Sequence, residues 1–130
     1  MSSPPTLVEL VWNGDLEFAA SLSKHTVVLD SNGAAGPSPV EMLAAALAGC
    51  MAIDLVHILQ RGRHTLRSLR AKLLAERAAD APKRFTAVTL HFEVEGSVPR
   101  EAVNRAVELS RTKYCSVWHS MRQDIDLQVT

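Results

Sequence analysis

Between residues 7 and 20 apolar and polar side chains alternate, with Leu10 and Trp12 before a break and Leu16 and Phe18 after it. Period-two alternation is the pattern of a half-buried strand. Asn13-Gly14 in the break predicts a hairpin, because both residues accept the positive φ of a type I′ turn. Residues 25–30, with Thr26-Val27-Val28-Leu29, predict a third strand, and Ser31 to Gly36 reads as a loop rich in glycine and alanine. A helix start follows at Ser38-Pro39-Val40-Glu41. Serine caps the first amides, proline suits the first helical position, and Glu41 reaches back to complete a capping box. The helix is expected to run to Arg61 or Gly62 and is apolar nearly all round from Met42 to Ile53, the mark of a buried helix.

Two long alternating stretches come next. Leu69, Ala71, Leu73 and Ala75 oppose Arg70, Lys72 and Glu76, and Val88, Leu90, Phe92 and Val94 alternate with Thr89, His91 and Glu93. The loop Asp80-Ala81-Pro82-Lys83 joins them as an antiparallel pair. Pro99 opens a second helix with Ala102, Val103, Ala106, Val107 and Ser110 on its apolar side, a short helical turn surrounds Tyr114 to Met121, and Ile125, Leu127 and Val129 form a last strand.

Runs of strands separated by few helices indicate the α+β class, with antiparallel strands around a long buried central helix, in one domain over residues 1–130. A helix apolar on every side is difficult for so small a domain to cover alone. A second subunit is the natural cover, so a homodimer is expected. Five alanines and Gly49 along the helix permit close approach of another backbone.

Composition narrows the function. A hydrophobic fraction of 47% and a charged fraction of 22% exclude a disordered chain. Net charge is zero, so general attraction to nucleic acid or to an anionic membrane is not expected. The charge is nevertheless uneven: residues 1–60 carry six acids and a single base, Lys24, whereas eight acids and thirteen bases follow from Arg61 onward. The start Met-Ser-Ser-Pro-Pro lacks the basic and apolar regions of a secretory peptide, and the uncharged run from Met42 to Ile53 is too short to span a bilayer, so a cytoplasmic protein is expected. With only two cysteines in a reducing compartment, redox, catalytic or merely buried thiols are the options.

Cys50 lies within the apolar helix, where free cysteine packs as a small hydrophobe. Asp54, one turn later, would disfavour its thiolate, and activation would need a cation from elsewhere in the fold. His57, two turns on, offers a thiol–histidine pair, but a satisfied core or interface histidine is the expectation there. Cys115 has Arg111, Lys113 and His119 within about one turn, each of which lowers a thiol pKa. Cys115 and His119 also stand at the i, i+4 spacing of two helical metal ligands. A zinc site needs three or four ligands, and Cys50, His57, His64 and His91 are scattered, so no metal is expected. Phosphate-binding and serine-hydrolase motifs are missing from the sequence.

Around the two cysteines the chain resembles the OsmC/Ohr family. Gly36-Pro37-Ser38-Pro39-Val40-Glu41-Met42-Leu43 followed by Ala44-Ala45-Ala46-Leu47-Ala48-Gly49-Cys50 resembles its signature, an acidic residue and an alanine-rich helix leading to the first cysteine. Ala52-Ile53-Asp54-Leu55-Val56-His57-Ile58-Leu59 and Lys113-Tyr114-Cys115-Ser116-Val117 are more similar to the OsmC-like, YhfA-type branch than to true hydroperoxide-resistance proteins. The resemblance implies an intertwined homodimer with a site at the subunit interface, and thiol-dependent reduction of small organic hydroperoxides in a stress response. Cys50 matches the peroxidatic cysteine, Cys115 the resolving cysteine, and Glu41 the acidic residue that holds an arginine against the reactive thiol. The family implies a thiol reductant, often lipoyl-linked, and no bound cofactor. The family's arginine comes from the N-terminal strands, and this chain has no arginine before Arg61; Lys24 and His25 are the basic side chains there. The alternative expectation is a protein of this fold without peroxidase activity, binding a small apolar ligand or a partner at the dimer interface.

Overall fold

A computed structural model describes residues 3–130; Met1 and Ser2, part of the N-terminal segment read above for a targeting signal, lie outside the described residues. The chain divides into two compact units, residues 1–43 and 44–130, and the boundary falls within the long helix α1 (Pro39–Arg61).

The first unit is an antiparallel sheet of β1 (Val8–Trp12), β2 (Glu17–Leu22) and β3 (His25–Asp30), in that order. The expected hairpin forms, but its turn is wider than a type I′ turn at Asn13-Gly14. Positive φ falls on Gly14 and Asp15, at 103° and 46°, and the Asn13 N–H donates to the Glu17 carbonyl at 2.9 Å. The Trp12 indole N–H closes this loop onto the Asp15 carbonyl at 2.9 Å, which a two-residue turn would not allow. Every residue of β1 is exposed within the chain, Trp12 and Val11 each at 64%.

The segment between β3 and α1 is tightly specified. Asp30 is buried, and its carboxylate accepts N–H bonds from Asn32, Ala34 and Ala35, at 2.9, 3.2 and 3.0 Å. The Ala35 bond, then the Asn32 bond, holds this carboxyl below the usual range. A Cβ at Gly36 would lie 2.2 Å from the Val28 carbonyl oxygen, so no larger residue fits that approach. The loop thereby delivers Ser38 to its cap. Ser38 Oγ accepts from the Glu41 N–H at 3.1 Å, and the Glu41 carboxylate accepts from the Ser38 N–H at 3.0 Å, the reciprocal box the sequence predicts.

In the second unit, Leu47, Met51, Leu55 and Leu59 of α1 are buried at every fourth position. Within one chain α1 is buried along one stripe, while Ile53 is 69% exposed, Ala45 and Ala46 are exposed, and a Cβ on Gly49 would meet nothing within 4 Å. A single three-stranded sheet and short helices offer one apolar surface, which covers one side of a helix. By length and composition α1 could cross a membrane, a test that the core helix of a soluble domain also passes.

The sheet comprises β4 (Thr65–Arg77), β5 (Phe85–Ser97) and β6 (Asp126–Val129). Leu69, Ala71, Leu73 and Ala75 pair with Val94, Phe92, Leu90 and Val88, so the two predicted alternations meet on one face. Val88, Leu90 and Phe92 are buried together with Leu127 and Ile125. The expectation of antiparallel strands fails for the last pair: β6 runs parallel to β5, with Leu127 beside Val88. The connection through α2 (Arg100–Leu109), a π-helical turn (Ser110–Tyr114) and α3 (Ser116–His119) is long enough to bring the chain back in the same direction.

Candidate active site

The π-helical turn at the end of α2 builds the site. It inserts one residue relative to α-helical spacing, a feature found often at functional sites. Its last link is the Cys115 N–H, which donates to the Ser110 carbonyl at 2.8 Å. Ser110 and Cys115 are both fully buried. Ser110 Oγ donates to Asp54 Oδ2 at 2.7 Å, tying the turn to α1. Cys115 Sγ accepts the Trp118 N–H at 3.3 Å and so caps α3.

Asp54 follows Cys50 by one helical turn, so both face the π turn. The sulfurs of Cys50 and Cys115 and a carboxylate oxygen of Asp54 all lie within 4.8 Å of one another. Both cysteines are free thiols; Cys50 is half-buried and Cys115 buried. Two thiols separated by 65 residues in sequence thus share one site. Asp54 and Ser110 complete it. The sequence pattern places Ser110 on the apolar side of α2, where a hydroxyl needs a partner, but nothing local identifies that partner as Asp54.

The expectation that the bases beside Cys115 acidify it is corrected. Arg111, Lys113 and His119 do not lower the Cys115 thiol; it is pushed up to about 11, chiefly by burial, with the Trp118 amide opposing and Cys50 and then Asp54 reinforcing. Lys113 lies over the Tyr114 ring at 5.2 Å from its centroid, and His119 Nε2 is 3.0 Å from the Arg111 carbonyl oxygen. The i, i+4 pair Cys115–His119 is therefore not a ligand pair. Cys50 gathers with Cys115 and Asp54, not with His57. His57 instead lines a cavity of about 350 Å³ with Asp54, Ile58, Arg61, Leu109 and Tyr114. Asp54 thus belongs both to the thiol cluster and to this cavity. Glu41 is exposed and engaged at the helix cap, and among the described residues no ion pair within the chain includes it. Lys24, also exposed, sits in the β2–β3 turn.

Comparison with known proteins places this geometry. The family model described as OsmC-like protein matches residues 31–130, which includes both cysteines, Asp54 and Ser110. The chain belongs to the OsmC-like family. Among OsmC-like relatives it is similar to protein YhfA of Escherichia coli (strain K12), 47% identical over 109 residues, which are 82% of this chain and 81% of that one. A hypothetical protein from Aquifex aeolicus has a crystal structure similar to this chain with a TM-score of 0.91, at 25% identity over 98% of this chain and 94% of that one. The organic hydroperoxide resistance protein OsmC of Legionella pneumophila shares the fold, with a TM-score of 0.73 at 17% identity over 99% of this chain and 97% of the other. The mixed α+β architecture with two sheets and one long helix is that of the OsmC/Ohr fold.

Proposed function

We propose that this chain, a single OsmC-like domain over residues 1–130, is a cytoplasmic thiol peroxidase that reduces small organic hydroperoxides. The observation that carries the reading is the approach of the Cys50 and Cys115 sulfurs, two free thiols within 4.8 Å. Cys50, the less buried, attacks the peroxide: its sulfur takes the distal oxygen, the O–O bond breaks, and an alcohol leaves with a sulfenic acid on Cys50. Cys115 then attacks that sulfur, a disulfide forms, and water leaves. A dithiol reductant, such as a lipoyl group, returns both thiols by exchange. Burial of Cys115 suits a resolving role, since a protonated, enclosed thiol does not compete for the peroxide. Belonging to the OsmC-like family supports the same reading.

The cation that activates Cys50 is not an N-terminal arginine, for the chain has none before Arg61. Glu41 is assigned as the acidic residue that holds an activating cation, contributed within a homodimer. The open face of α1, with Ala45, Ala46, Gly49 and Ile53, supports a second copy as its cover.

Thiol titration after one equivalent of an organic hydroperoxide tests the proposal. Free thiols fall from two per chain to none if it holds. Retention of both thiols would favour the second reading, a ligand-binding protein of this fold, which the cavity beside Asp54, with apolar Ile58 and Leu109 in its wall, supports.

A further inference from the structure

The fold does not use Cys115 and His119 together; instead Cys50 and Asp54, at the same i, i+4 spacing on α1, meet Cys115. Two sulfurs and a carboxylate oxygen from Cys50, Cys115 and Asp54 converge within 4.8 Å of one another. A tetrahedral zinc ion, with bonds of about 2.3 Å to sulfur and about 2.1 Å to oxygen, sets its donors roughly 3.6–3.8 Å apart. Closing the observed cluster to that size is a matter of side-chain adjustment.

The outer contacts are those of a built site. Asp54 Oδ2 is held by the Ser110 hydroxyl at 2.7 Å, which orients the carboxylate and leaves Oδ1 unengaged by that bond. The Trp118 N–H donates to Cys115 Sγ at 3.3 Å, as amides do to metal-bound sulfurs. Both donors come from one short stretch of chain, Ser110 at the start of the π turn and Trp118 in the α3 turn that follows Cys115. Arg61, which lines the same cavity as Asp54, brings a positive charge to that side of the cluster.

We propose that the reduced chain binds one zinc ion through Cys50 Sγ, Cys115 Sγ and Asp54, with water in the fourth position. Two thiolates with one carboxylate favour zinc over the harder magnesium and calcium and over all-sulfur copper(I) sites. Binding releases the two thiol protons to solvent, with no change of oxidation state. The metal-bound form and a Cys50–Cys115 disulfide exclude each other, because both use the same electron pairs.

The test uses full-length, chelator-treated, reduced protein with no peroxide present, so its result does not depend on the peroxidase reading. Cobalt(II) titration is expected to give a sulfur-to-cobalt charge-transfer band and the visible bands of a tetrahedral site, saturating at one metal per chain and bleached by zinc. Cys50→Ser and Cys115→Ser each abolish that saturable band. Asp54→Asn keeps both thiols yet lowers zinc affinity at least tenfold, and Ser110→Ala lowers it about 10–100-fold, as outer-contact losses do. A wild type that gives no charge-transfer band overturns the proposal, whatever the variants do. So does a correctly folded Asp54→Asn variant, checked by circular dichroism, that binds zinc as tightly as wild type.

Discussion

Ser110 Oγ lies 2.7 Å from Asp54 Oδ2, across 56 residues of sequence, and Ser110 has no exposed surface. A hydrogen bond to a carboxylate contributes about 1.5–3 kcal/mol, and losing its donor leaves this half-buried acceptor short of a partner. The bond also fixes the start of the turn whose far end presents Cys115. Ser110→Ala is therefore expected to lower unfolding free energy by about 1.5–3 kcal/mol in urea titration. A change below about 0.5 kcal/mol, the range of neutral surface substitutions, would show that water or relaxation replaces the hydroxyl.

The two thiols should differ in reactivity. Burial pushes the Cys115 thiol up to about 11, above the free-thiol value of about 8.5. A raised thiol pKa means the folded state favours the protonated form. The stability this gives is full below about pH 8.5 and declines as pH climbs toward the folded value. In a metal-free Cys50→Ser variant the two contributions from Cys50 disappear but burial remains. Cys115 alkylation should then be slow at neutral pH and rise with an apparent pKa above about 8.5, with thermal stability falling over the same alkaline range. Rapid labelling of Cys115 at pH 7 would contradict its enclosure.

How far the sequence discloses this protein depends on the range of each interaction. Ser38 and Glu41 are three residues apart, so their reciprocal cap is legible directly, and the alternation of Val88, Leu90 and Phe92 gives the buried face of β5. The hairpin turn moved because Trp12 and Asp15 close a wider loop, a side-chain preference that the Asn13-Gly14 signal does not contain. The parallel pairing of β6 is decided by where the helical connection returns it, not by its own four residues. Cys50 and Cys115 were visible as residues and, through the family resemblance, as a pair. Their association with Asp54 and Ser110 was not, because periodicity carries no information about contacts across 56 residues. Local charge patterning around Cys115 misled outright, since Arg111, Lys113 and His119 are neighbours in sequence that do not offset the burial of the thiol.

Glu41 can be tested without disturbing the helix it caps. Glutamine keeps a carbonyl oxygen to accept the Ser38 N–H, so Glu41→Gln removes the charge and preserves the box. In a metal-free Cys115→Ser background, the pH dependence of Cys50 alkylation is compared with and without Glu41→Gln. If Glu41 holds a cation against Cys50, the substitution raises the apparent pKa by about one unit, equivalent to about 1.4 kcal/mol. Identical profiles, with Cys50 titrating above about 8.5, would remove Glu41 from the site and favour the ligand-binding reading.

Dimerisation is tested most sharply at Gly49, because the lone chain and the dimer predict opposite signs. In the chain alone a Cβ at Gly49 meets nothing within 4 Å, and the position lies inside α1. Replacing a helix-interior glycine by arginine there would stabilise an isolated chain by roughly 0.5–1 kcal/mol through helix propensity. In a homodimer covering the face of Ala45, Ala46, Gly49 and Ile53, the same arginine would put a charge and a long side chain into an apolar interface. Burial of that unpaired charge costs far more than propensity returns. We expect Gly49→Arg to unfold or aggregate rather than yield a soluble monomer, while the wild type sediments as a dimer at micromolar concentration. Gly49→Ala, which adds one methyl, separates charge burial from close backbone approach: it is tolerated where the partner leaves room for a Cβ and destabilising where backbones touch. A wild type that sediments as a folded monomer, with Gly49→Arg more stable than it, would refute the dimer.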